Sequence, residues 1–250
     1  MDMQKLSLAT LLLFSAVITV KANDTVWGFE DQTAGEVPRG WSRMWGKQGD
    51  DLVLISNIKA ADGKNSMLID RGSHTAQWGA GAKLPDFDSG WLRVAFWFLV
   101  DGDADGPRAR FGLLIRNQFS PSTVDTALRV GFHAGRIRFY SRRGCAGQKN
   151  YRRDHWYRVT LWWPAAAGDE TKGDAWVCMQ RLAQGGAEPV GEPLRVVDCI
   201  PARKGRQAAV LQLTTYPGKA HNNFKVYFDE FEIRQVDELP RFLHAAENGD

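Results

Sequence analysis

Cysteine is scarce, with three in 250 residues, and none of the three stands in a CxxC pair or at a Cys–His spacing, so the sequence offers no structural zinc site. The G-x-S-x-G nucleophile elbow, the GxxxxGK[ST] phosphate loop and the HExxH zinc helix are all missing, which removes the commonest routes to acyl transfer, nucleotide chemistry and zinc hydrolysis. No low-complexity linker divides the chain. Helical periodicity is nearly absent as well, with 236–246 the one weak candidate.

What is present begins with an apolar run at 6–20, preceded by Lys5 and followed by small or branched residues up to Ala22. This reads as a secretory signal peptide cut after Ala22. The run is too short for a comfortable membrane span. The mature protein is therefore expected to be secreted or periplasmic, without a membrane anchor, and export argues against a nucleic-acid partner. No Cys follows the run, so no lipoprotein site is expected. Residues 1–22 are set aside, 23–236 are read as a single β-domain, and 237–250 as a C-terminal tail. Ten Trp and an apolar fraction of 44% supply ample core. In an exported protein Cys178 and Cys199 are expected to bridge neighbouring strands, with Cys145 single in a glycine-flanked loop; three reduced thiols are the alternative.

Alternation of apolar and polar residues, the signature of half-buried strands, recurs along the chain. It predicts strands at 25–29, 52–56, 66–70, 75–78, 91–100, 108–117, 127–133, 136–141, 156–163, 175–181, 208–215 and 225–235. Turn clusters such as DGDADG, HAGR and YPGKAHNN lie between them. Many strands with such punctuation predict an all-β fold, a two-sheet antiparallel β-sandwich of jelly-roll type with little helix.

Successive side chains on a strand point to opposite faces, so each face can be read separately. One collects Leu92, Val94, Phe96 and Phe98, then Val130, Phe132, Ile137 and Phe139, and is core. The other collects Arg93, Trp97, Arg110, Arg116, Arg129, His133, Arg138 and Tyr140, with Trp162 and Gln212 from later strands. Charge is asymmetric in the same region: between Trp91 and Trp163 lie twelve Arg and one Lys against five Asp, a net of +8. Guanidinium forks grip carboxylates in bidentate fashion and donate to hydroxyls, while aromatic rings stack on sugar faces. An anionic polymer suits such a field. A solvated sheet face kept polar against aggregation is the plain alternative.

The phrases FEDQTAGEVPRGW, LRVAFWF, HWYRVTLWW and VYFDEFEI together resemble those of concanavalin A-like and laminin-G-like jelly rolls and of carbohydrate-binding modules of similar form. The resemblance covers essentially the whole mature chain. It implies two antiparallel sheets, a glycan-binding concave face and a structural calcium ion. In many jelly-roll modules the first and last strands lie side by side, and resemblance to them implies the same here. On this sequence the calcium ligands would be Glu30 and Asp229, with Asp31 as helper and loop carbonyls from 43–49 completing six to eight oxygens. Where such modules carry Asp-Asp, this chain has Asp229-Glu230. Asp101, Asp103 and Asp105 before Gly106 form the front half of a second cation loop, but the twelfth position is Gly112 rather than Glu, and a solvated turn is expected there.

The superfamily also holds enzymes. Its retaining glucanases carry two Glu residues in an E-x-D-x-E or E-x-D-x-x-E strand, absent here; Glu230 and Glu232 are accounted for by the closing strand. A polysaccharide lyase needs a neutraliser for a uronate carboxylate and a base, roles for which Arg129, His133 and Tyr140 have the right chemistry. The RxExR and QIH or QVH strands of alginate lyases are missing. The leading expectation is a monomeric, non-catalytic module that binds a polysaccharide, with an anionic one favoured. Lyase action on a uronic-acid polymer, and a structural or adhesion module without glycan ligand, are the alternatives.

Overall fold

The computed structural model describes residues 25–45, 53–70, 78–83, 89–101, 111–116, 126–133, 135–141, 144–164, 173–199, 210–215 and 225–243. Its strands are β1 (Thr25–Trp27), β2 (Trp41–Trp45), β3 (Val53–Ser56), β4 (Ser66–Asp70), β5 (Trp78–Lys83), β6 (Trp91–Asp101), β7 (Phe111–Arg116), β8 (Thr126–His133), β9 (Arg136–Ser141), β10 (Gly144–Asn150), β11 (Tyr157–Pro164), β12 (Gly173–Ala183), β13 (Gly186–Pro189), β14 (Leu194–Cys199), β15 (Val210–Thr215) and β16 (Lys225–Val236). Nine of them form sheet A, in the order β13-β12-β11-β6-β16-β4-β3, with β1 also on β16 and β14 also on β12. Seven form sheet B, in the order β10-β9-β8-β7-β15-β5-β2. Every pairing is antiparallel.

The alternation read from the sequence places the core where expected. Leu92, Val94, Phe96 and Phe98 of β6 and Val130, Phe132, Ile137 and Phe139 of β8 and β9 are fully buried. They meet across the sandwich: the Phe98 and Phe132 rings lie edge to face at 5.0 Å, and Phe132 makes a similar contact with Phe228 of β16 at 5.7 Å. Burying each such ring contributes about 2 kcal/mol of transfer free energy. The chain also closes on itself, with Thr25, Val26 and Trp27 in register with Ile233, Glu232 and Phe231.

Four strands carry no clear alternation and were not anticipated. β10, GCAGQKN, is glycine-rich and polar; β13 is four exposed residues; β2 and β14 mix both kinds of residue without a regular period. β10 and β13 are held chiefly by a neighbour's ladder, whereas β2 and β14 also place Trp41, Val196 and Cys199 in the core.

The segment after β16, expected as a tail, is part of the fold as far as Leu243. Leu239 and Leu243 are buried against Trp162 and Trp176 on the outer side of sheet A; among the described residues helix is found at Arg241–Leu243, while 236–240 of the expected helix 236–246 are not helical and 244–246 lie outside the described residues. The disulfide expectation is corrected too, since all three cysteines are free thiols. Cys178 packs with the outer cluster of Trp162 and Trp176, whereas Cys199 belongs to the inner core, and Cys199 is in register with Gly173, five positions along β12 from Cys178. Opposite faces of one sheet cannot be joined by a single S–S bond. Burial pushes the Cys178 thiol up to about 11 and that of Cys199 to about 12, so both stay protonated and unreactive at neutral pH.

Candidate functional site

Outward positions of β8 and β9 bring three of the expected residues together. With Val130, Phe132, Ile137 and Phe139 turned inward, the intervening Arg129, Gly131, His133, Arg138 and Tyr140 face the other way. Register sets Arg129 opposite Tyr140 and Gly131 opposite Arg138. The Tyr140 hydroxyl and His133 Nε2 are 2.9 Å apart, and the Arg129 guanidinium lies over the Tyr140 ring at 4.0 Å from its centroid. All three side chains are half-buried.

Gly131 makes this cluster sterically possible. A Cβ there would stand 3.0 Å from Tyr140 Cε2 and 3.2 Å from His133 Nε2, so the two rings lean together over a bare backbone. The turn beyond β8 is fixed from behind, where the Tyr151 hydroxyl donates to the His133 carbonyl at 2.5 Å and the Tyr151 amide to the Gly135 carbonyl at 3.0 Å. Neither Gly131 nor Tyr151 was singled out from sequence. The signal for Gly131 was a glycine interrupting an otherwise regular alternation in RVGFH, which in a strand marks close approach.

The remaining expected residues divide between the sheets. Arg138 belongs to the same face, with its Nε 3.3 Å from Gln148 Oε1 of β10. Gln212 is in register with Leu114, and Leu114 with Arg129, so Gln212 stands in the row of Arg129 and Tyr140; Arg116 ends β7, paired with Val210 and Thr126. Arg110 lies outside the described residues. Trp97 and Trp162 belong to sheet A and do not share a face with Arg129. Both are buried, at 8% and 5% exposure. The Trp97 indole donates to Glu230 Oε2 at 3.0 Å and lies 5.7 Å from the Arg158 guanidinium, while Trp162 is covered by Leu239, Leu243 and, edge to face at 6.2 Å, Phe242. Neither offers a ring face for stacking on a sugar.

Sheet A's own arginines are engaged internally. Arg93 donates to Glu232 Oε2 at 2.7 Å and Arg158 to Glu232 Oε1. Burial alone would raise the Glu232 carboxyl, but the Arg93 hydrogen bond and the charges of Arg158, Arg93 and Arg234 together outweigh it and hold it below the usual carboxylate range. Glu230 and Glu232 are thus committed to structure.

The expected calcium ligands have other partners. Glu30 accepts from the amides of Lys64 and Asn65, and Asp229 from those of Ala61, Asp62 and Glu230. Asp31 pairs with Arg39 at 2.9 Å. Of the DGDADG segment, Asp101 pairs with Lys59 at 3.0 Å, and Asp103 and Asp105 lie outside the described residues. Among the described residues no group of three or more His, Cys, Asp and Glu side chains is placed to hold a metal ion.

No protein-family model matches the chain, and no curated protein matches it in sequence. Solved structures do match in fold. The PL-14 alginate lyase from Aplysia kurodai is 12% identical with a TM-score of 0.54, covering 85% of this chain and 98% of its own. The shared fold is a two-sheet antiparallel β-sandwich of jelly-roll type. The catalytic domain of the glycoside hydrolase family 131 protein from Coprinopsis cinerea shares the jelly roll at 10% identity and a TM-score of 0.54, over 84% of this chain and 92% of that one. Lectin II from Ulex europaeus does so at 11% identity and a TM-score of 0.50, over 85% and 98%. At these identities the likeness fixes the jelly-roll architecture alone.

Proposed function

We propose that this jelly roll is exported and binds a carbohydrate polymer carrying carboxylates, through the outer face of sheet B around Arg129, His133 and Tyr140. The observation that carries this reading is the Arg129–Tyr140–His133 cluster itself. Arg129 lies over the Tyr140 ring, and that ring leans across Gly131, so the cluster presents a guanidinium edge, a phenol and an imidazole rather than a free aromatic platform. With Trp97 and Trp162 buried, recognition rests on charge and hydrogen bonds, which favours an acidic glycan over a neutral one. That a lectin and carbohydrate-active enzymes share this architecture supports a carbohydrate ligand. A panel of neutral, uronic and sulfated polysaccharides tested with purified mature protein is expected to give binding to the uronic members. Absence of binding to every glycan in the panel would remove the proposal.

The hydrogen bond between His133 and Tyr140 favours a second reading, β-elimination on a uronic-acid chain. Arg129 would neutralise the uronate carboxylate and so acidify the adjacent C5 proton. One of the two hydrogen-bonded rings would take that proton and the other would return one to the departing glycosidic oxygen, as the C4–O bond breaks and a C4=C5 double bond forms. Ultraviolet absorbance from the unsaturated product ends separates the readings: it rises with time for a lyase and stays flat for a binding module.

A further inference from the structure

Segment 57–65, between β3 and β4, is surrounded by four acidic residues from distant parts of the chain. On one side Ala61 N and Asp62 N donate to Asp229 Oδ2 at 2.8 and 3.3 Å, and Glu230 N donates to Oδ1 at 2.9 Å. On another, Lys64 N reaches both Glu30 oxygens at 2.9 Å and Asn65 N reaches Oε1 at 2.8 Å. Both carboxylates therefore face N–H groups, whose positive ends already complement the charge. The neighbouring carbonyls are also taken: the Asn65 side-chain amide donates to those of Phe29, Glu30 and Gln32 at 3.3, 3.4 and 3.0 Å. Lys59 meets the other two acids, with Nζ 3.0 Å from Asp101 Oδ2 and 2.9 Å from Asp154 Oδ1, and its own carbonyl accepts from the Ser66 hydroxyl at 2.5 Å. Gly63, at φ +67°, lets the backbone pass the Glu30 carboxylate where a Cβ would fall 2.4 Å from its carbon.

A calcium ion needs six to eight oxygen lone pairs at 2.3–2.6 Å, directed at one point. Here the lone pairs of Glu30, Asp229 and the nearby carbonyls are directed at hydrogens. The described residues do not fit calcium; of the loop 43–49 expected to complete its shell, 46–49 lie outside them. We infer that segment 57–65 is a built-in substitute for a cation, joining the turn after the first strand to the last strand through the four backbone amides of Ala61, Asp62, Lys64 and Asn65 while the Lys59 ammonium holds Asp101 and Asp154, and that this closure is independent of metal. The inference stands whether or not a glycan binds on sheet B.

Thermal unfolding of the full chain, after treatment with a calcium chelator and again with excess calcium, tests it, because a ion bound only by the folded form raises the unfolding temperature. Superimposable transitions are expected, together with far less than one equivalent of calcium in the purified protein by elemental analysis. A transition lowered by chelator and restored by calcium would overturn the inference, as would one equivalent of calcium retained through dialysis. Glu30→Gln keeps an acceptor oxygen for Lys64 and Asn65 and is expected to unfold at the same temperature with and without calcium; a calcium-dependent difference in this variant would likewise contradict it.

Discussion

The Tyr140 hydroxyl lies 2.9 Å from His133 Nε2 with only the bare backbone of Gly131 beneath the two rings. The two side chains come from different strands, β8 and β9, and a hairpin held by Tyr151 keeps them in register. A polar pair preorganised in this way needs little ordering when a ligand arrives.

Gly131→Ala tests that arrangement. Alanine is compatible with an ordinary strand backbone and removes a glycine cost of about 0.5–1 kcal/mol, so the unfolding temperature is expected to hold or rise slightly. The added Cβ separates the rings, and glycan binding is expected to fall with the imidazole resonances of His133 displaced. Unchanged binding together with unchanged resonances would contradict the role given to this glycine.

Asp229 should give the fold an unusual pH dependence. Burial raises its carboxyl to about 6, against partial opposition from the Ala61, Asp62 and Glu230 amides, with the Glu230 charge adding to the rise. The folded state then binds the proton more tightly than the unfolded state, so this group's contribution to stability is fully present below about pH 4 and declines as pH rises through about 6. Asp229→Asn removes that dependence while keeping an oxygen for the Ala61 and Asp62 amides. Between pH 4 and pH 7 the stability difference is expected to shift toward the variant by on the order of 3 kcal/mol, measured by denaturant unfolding at both pH values. A shift of opposite sign would show that Asp229 is stabilised as a carboxylate.

The C-terminal turn is expected to contribute measurably to stability. Leu243 is fully buried over Trp162 and Trp176. Leu243→Ala should cost about 2–3 kcal/mol and shift tryptophan emission to longer wavelength as the two indoles gain solvent. An unchanged unfolding temperature would show that 237–243 is dispensable.

Reducing agent should leave the unfolding temperature unchanged, and denatured protein kept under oxygen-free conditions should release three titratable thiols per chain. A pair of thiols missing from that count would restore the bridge that the opposite faces of Cys178 and Cys199 exclude.

Much of this architecture was legible because strand alternation is a local property. Phe96 and Phe98 on one side, with Arg93 and Trp97 on the other, could be assigned from β6 alone, whereas the adjacency of β1 and β16 was expected only from the resemblance to jelly-roll modules. Membership of a sheet is not local. β6 and β11 join sheet A while β7, β8 and β9 join sheet B, so Trp97 and Trp162 separate from Arg129 although all share the outward parity. The same holds for Glu30 and Asp229: their proximity to the chain's ends was readable, but the amides of 57–65 that meet them come from a segment with no strand or motif signal. Cys178 and Cys199 failed as a pair because strand adjacency does not specify face.

Affinity for a polyuronate, compared between the wild type, Arg129→Ala and Arg129→Lys in matched buffer, tests the central claim most directly. A charge-assisted hydrogen bond contributes about 1.5–3 kcal/mol, so Arg129→Ala is expected to bind roughly 10- to 100-fold more weakly, with Arg129→Lys recovering part of the loss and a neutral glucan bound poorly by all three. Equal affinity of wild type and Arg129→Ala for the polyuronate would contradict the account.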